Sequence, residues 1–129
     1  MADPTLYNST CIHGFLILCA LIYGYTNKLL PNHIILIVSL VVLSSLINHK
    51  SSHHWFKWGD RILATVAILA LGIHIIDKDA WILLVPLFAI VGFYGLAKYW
   101  KGRGDSFYLH AHCLAHLCAS VLIIGLLFI

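Results

Sequence analysis

Charge is what this sequence has least of. Of 129 residues only 10% are charged, eight Lys and Arg against five acids, while 61% are hydrophobic and the mean hydropathy is +0.93. A soluble domain of this length carries about 25% charged residues, so that class is excluded. Cysteine is sparse as well. Cys11, Cys19, Cys113 and Cys118 all fall in apolar stretches without C-x-x-C spacing, which argues against a disulfide framework and makes each a packed small hydrophobe. The N-terminal MADPTLYNST has no basic region, and no small-residue cleavage site follows the first apolar run. That run is therefore expected to stay as a spanning helix rather than serve as a signal peptide.

What is present is apolar sequence in membrane-sized lengths. Windows of about 17–23 residues suitable for spanning a bilayer occur at 11–27, 33–49, 60–76, 80–100 and 107–129. The intervening loops are short, so residues 1–129 are expected to form a single, all-α integral membrane bundle of five transmembrane helices. With five spans, the N-terminus and the loops after spans 2 and 4 share one side, called X here; the other loops lie on side Y. Lys50, Lys57, Arg61, Lys98, Lys101 and Arg103 fall on X, and only Lys28 and Lys78 on Y. The positive-inside rule then places X, and the N-terminus, in the cytoplasm. Trp55, Trp58, Tyr99, Trp100 and Tyr108 gather towards X and Tyr23, Tyr25 and Trp81 towards Y, as interfacial belts do. Basic residues beside the membrane suit anionic lipid head groups, and nucleic-acid binding has no support.

Span 1 reads as a packing helix, with His13 near its X end and Gly14 and Gly24 as close-approach points. The sequon Asn8-Ser9-Thr10 precedes it, on the cytosolic side, and is expected to go unused. Pro31 opens span 2, with Asn32 as a candidate cap. Asp60 starts span 3, where an acid in the first turn is favoured by the helix dipole; alternatively it turns inward while Arg61 snorkels to the head groups. His74 belongs to the opposite interface. In span 4, Pro86 predicts a kink, and Gly92 and Gly95 predict close helix packing.

Span 5, FYLHAHCLAHLCASVLIIGLLFI, sets His112 and His116 into an apolar segment. Residues four apart share a helix face about 6 Å from each other, and polar groups at membrane depth need partners. The five-span topology supplies them. Ser45 and His49 share a face at the X end of span 2, Asp60 opens span 3, and all lie at a depth similar to His112. His49, His112 and His116 with an open fourth position make a candidate zinc site of the catalytic kind. Asp60 is placed to orient water or accept its proton, and Ser45 to donate a hydrogen bond. His53, His54 and His110 are spare interfacial imidazoles, of which His53 is one turn beyond His49. The residues alone leave a plainer alternative: separate polar groups, each solvated at an interface or bonded to a neighbouring helix.

Ser45-x-x-x-His49, Asp60 eleven residues on, and His112-x-x-x-His116 in the last helix resemble the scattered signature of the CREST superfamily of membrane hydrolases. That group includes the alkaline ceramidases, the Per1-like enzymes and the progestin and adiponectin receptors. The resemblance implies zinc on His49, His112 and His116, Asp60 positioning water, Ser45 lining the site, and a lipid amide or ester as substrate. The family has seven helices; a five-helix chain lacks two between Asp60 and His112. An even-numbered shortening preserves the sidedness of the site but removes walls of a lipid cavity, which lipid or a homo-oligomer would then close.

The expectation is a zinc-dependent intramembrane hydrolase, ceramidase-like, of a lipid amide or ester. Two other classes compete with it. One is a non-catalytic zinc-containing lipid receptor or sensor; the other is a small oligomeric proton or ion channel that uses its histidines for conduction.

Overall fold

The computed structural model describes residues 4–51 and 53–129. Within them lie five helices, α1 (Pro4–Thr26), α2 (Asn32–Lys50), α3 (His54–Asp77), α4 (Leu84–Gly102) and α5 (Phe107–Leu126), and a 3-10 turn at Trp81–Leu83 that leads into α4. There is no strand among the described residues. All five helices, the last turn of the connection to α4 included, are long and apolar enough to cross a membrane. Tight turns join α1 to α2, α3 to α4 and α4 to α5. Lys28 and Asp79 take left-handed φ values of 56° and 54°, and Gly104 takes 71°, each reversing the chain just past a helix end.

The first and third helices begin earlier than the apolar windows predict. The described part of α1 already includes Pro4, seven residues ahead of residue 11, and these added turns bury Leu6, Ser9 and Thr10. The sequon is thus folded into a helix. α3 starts at His54, with His53 as its cap: the His53 Nδ1 accepts from the Trp55 amide at 3.3 Å. Asp60 therefore stands in the second turn, and the first turn of α3 contains no acid. A dipole role for Asp60 at the helix start is excluded by that shift.

Two expectations for span 4 and one for span 2 also change. Pro86 is the third residue of α4, where its missing N–H is one the helix start leaves unbonded anyway; it begins the helix instead of kinking it. A Cβ at Gly92 or Gly95 would meet nothing within 4 Å, so neither is a close-approach point. Such points exist on α1, where a Cβ at Gly14 would stand 3.0 Å from Val42 and one at Gly24 2.7 Å from Leu30. The cap of α2 is Pro31 rather than Asn32, with no side-chain hydrogen bond.

α1 sits between α2 and α5; α3 packs on the far side of α2, and α4 on the far side of α5. The remaining seam, between α3 and α4, is the lightest, and the turn at Trp81–Leu83 contributes to it. Leu21, Ile34, Ile75, Leu122, Ile123 and Leu126 are fully buried and form the heart of the core at the Y end. Outward faces carry large apolar side chains, among them Phe15, Ile73, Ile82 and Phe88. The X end is different, with Ser9, Thr10, Ser45, His49 and His116 buried.

Candidate metal centre

α5 carries His112 and His116 one turn apart, and α2 brings His49 to them in its last turn. The ring centroids lie 5.0 Å (His49–His112), 5.7 Å (His49–His116) and 4.9 Å (His112–His116) apart. One ligating nitrogen from each falls within 4.8 Å of the others, and His49 and His116 are buried while His112 is half-buried. Tetrahedral zinc ligands at about 2.0–2.1 Å from the ion stand roughly 3.3 Å apart, so side-chain rotations that close the triangle by up to ~1.5 Å would bring the three nitrogens onto one ion. Three histidines from two non-adjacent helices converge here through topology alone.

The chemistry of the donors fits a metal. His116 Nδ1 is 2.9 Å from Ser9 Oγ, whereas its Nε2 is buried with no hydrogen-bond partner. An orphaned buried polar atom costs about 1–3 kcal/mol, and an ion at the centre of the triad would satisfy it. Neutral imidazoles with a fourth position left open are the donor set of catalytic zinc, so His49, His112 and His116 are the residues that could hold it.

Asp60, on α3, faces the last turns of α2, the helix that carries His49. Its Oδ1 accepts from Ser44 Oγ at 3.1 Å and its Oδ2 from Asn48 Nδ2 at 3.1 Å. These donors immediately precede Ser45 and His49 in sequence, so α2 turns one stripe to the histidines and the adjacent stripe to the carboxylate. Ser45 is buried one turn before His49 on the same face. Ser45, His49, Asp60, His112 and His116 are therefore gathered at one end of the bundle, with Asp60 outside the set that could share an ion.

Other histidines stay apart. His53 is exposed, caps α3 and stacks on His54 at 5.1 Å, so it does not stand in for His49. His110 is exposed against Phe107. His74 is buried at the Y end, towards Asp77 and Lys78. The four thiols are free, and Cys19 is exposed on the outer face of α1 instead of packed.

Two residues of the site were not anticipated. Ser9 reaches it from the turns of α1 that precede the apolar window, although Ser9-x-x-x-His13 repeats the Ser-x-x-x-His spacing of α2. Tyr94 of α4 sets its ring edge-on to His112 at 4.8 Å and to His116 at 6.4 Å, and it lies within electrostatic reach of Asp60. A phenol in the middle of an apolar helix was the available signal. With these two, every helix of the bundle contributes a side chain to one polar cluster. Comparison of the chain with family models, with curated proteins and with solved structures yields no match.

Proposed function

We propose that this chain is a multi-pass membrane protein, with its N-terminus and X end on the cytoplasmic side, that hydrolyses an amide or ester of a membrane lipid at a zinc held by His49, His112 and His116. The observation that carries this reading is the convergence of three histidines around the unpartnered Nε2 of His116. Apolar outward faces on five long helices support insertion in a bilayer, and the six cations at the X end support the orientation.

Zinc in such a site supplies a water of lowered pKa and an electrophile for a carbonyl oxygen. The residues around it do the rest. Ser44 and Asn48 orient the carboxylate of Asp60, which takes a proton from the attacking water. Ser45 offers a hydroxyl to the oxygen that gains charge as the carbonyl is attacked. Hydrolysis then yields a fatty acid and an amine or an alcohol. The light seam between α3 and α4, flanked by Asp60 and Tyr94, is the natural lateral route for a lipid to reach the cluster. In the seven-helix CREST pattern the two additional spans fall between Asp60 and the last histidines, so a shortened member would be open along this seam.

Metal analysis of the purified protein tests the proposal. About one equivalent of zinc, lost in His112→Ala, is expected; less than about a third of an equivalent, unchanged by that substitution, defeats it. A second reading is favoured by the hydrogen bonds that already engage both oxygens of Asp60: a zinc-containing receptor or structural site without turnover. Incubation with lipid extracts separates the two. Release of fatty acid that stops in Asp60→Asn marks the hydrolase, and retained zinc with no product from either protein marks the receptor.

A further inference from the structure

Ser9 and His13 stand one turn apart on α1, and His116 and Ser120 one turn apart on α5. They pair in register across 107 residues of sequence: Ser9 Oγ with His116 Nδ1 at 2.9 Å, and His13 Nδ1 with Ser120 Oγ at 2.9 Å. The two rungs have reversed chemistry, hydroxyl facing ring and then ring facing hydroxyl. At the second rung Ser120 donates its proton to the His116 carbonyl at 3.3 Å. Its oxygen is therefore left to accept from His13 Nδ1–H.

The first rung decides which nitrogen of His116 carries its proton. If Ser9 donated to Nδ1, the neutral ring would carry its proton on Nε2, a buried N–H with no acceptor and no lone pair to offer an ion. If Nδ1–H donates to Ser9 Oγ, Nε2 keeps its lone pair. Ser9 can spend its own proton on the carbonyl one turn back, as helical hydroxyls do and as the adjacent Thr10 does with the Leu6 carbonyl at 2.8 Å.

Building on the zinc reading above, we propose that Ser9 is a positioning residue for the metal: it holds His116 in the Nδ1–H tautomer and aims the Nε2 lone pair into the triad. Partners of this kind fix ring orientation and typically govern metal affinity by about 10–100-fold. Helix α1 contributes no ligand, yet through Ser9 it sets the rotation of one. The His13–Ser120 rung ties the same two helices together one turn away, with the His13 ring 6.5 Å from that of His116, and acts on packing alone.

Zinc affinity measured by competition with a chromophoric chelator, on full-length protein in detergent, tests this. Ser9→Ala is expected to weaken zinc binding about 10–100-fold, Ser9→Thr to restore it to within about threefold, and Ser120→Ala to leave it within about threefold. Imidazole nitrogen-15 spectra of the zinc-loaded wild type should show a histidine with Nδ1–H and ligated Nε2, a signal displaced in Ser9→Ala. Wild-type zinc affinity retained in Ser9→Ala overturns the positioning role while leaving the metal site intact. Equal losses in Ser9→Ala and Ser120→Ala also overturn it, since packing alone would then explain both. A wild type that binds no zinc, whatever the state of His49, His112 and His116, overturns the metal reading and this inference with it.

Discussion

The Y end and the X end of this bundle are built from the same five helices on opposite terms. At the Y end Leu21, Ile34, Ile75, Leu122 and Leu126 are sealed against one another, and close van der Waals packing between the helices accounts for their placement. At the X end the space between the helices is filled by Ser9, Ser45, His49, Asp60, Tyr94, His112 and His116, tied by hydrogen bonds and ring contacts. A membrane supplies little hydrophobic drive between helices, so polar groups at one end must be satisfied by neighbours. The apolar end packs the five helices together, and the polar end brings the imidazoles of α2 and α5 to one place.

The contrast can be broken from either end. The largest effect is expected from His116→Ala, which removes one of the proposed ligands and should abolish stoichiometric zinc, read by elemental analysis of purified protein, while helical content by circular dichroism persists because the Y-end core is untouched. If the proposed hydrolase reading holds, Asp60→Asn should keep zinc and lower lipid hydrolysis by about 10²–10⁴-fold, the range of general acid–base contributions, measured as fatty acid released. At the other end, Leu122→Ala should destabilise the bundle by about 2–5 kcal/mol, seen as a lower unfolding temperature in detergent, with one zinc per folded molecule retained.

Two smaller effects sharpen the comparison. Because imidazole must be neutral to ligate, zinc affinity, read by chelator competition, should fall steadily as pH is lowered from 7.5 towards 5, and the stability that bound zinc adds to the wild type should fall with it, a loss absent from His49→Ala, which lacks one of the proposed ligands. The smallest change is expected at Gly92, whose missing Cβ faces open space. Gly92→Ala should stabilise by roughly 0.5–1 kcal/mol through helix propensity, read by thermal unfolding.

Much of the scaffold was legible without coordinates. The number and order of the helices followed from apolar lengths, and His49, Asp60, His112 and His116 were brought to one end by the parity of the helix count. Helix starts were less legible. Pro4 to Thr10 contains too few apolar residues to register in a hydropathy window, and becomes helical with Leu6, Ser9 and Thr10 buried against neighbouring helices; His54 to Gly59 is an aromatic and basic run that reads as a loop, and it extends α3 from the His53 cap with its side chains exposed.

By itself the sequence determined what is local or topological: five apolar helices, their alternation, and the face shared by residues four apart. Tertiary structure decided what depends on helix rotation and choice of neighbour. It placed α1 between α2 and α5, gave His116 the hydroxyl of Ser9, gave Asp60 the donors Ser44 and Asn48, and set Tyr94 against the histidines. The physical reason is range. Periodicity and hydropathy act within a helix, whereas a contact between residues 107 apart is set by how whole helices pack, and several packings satisfy the same apolar pattern.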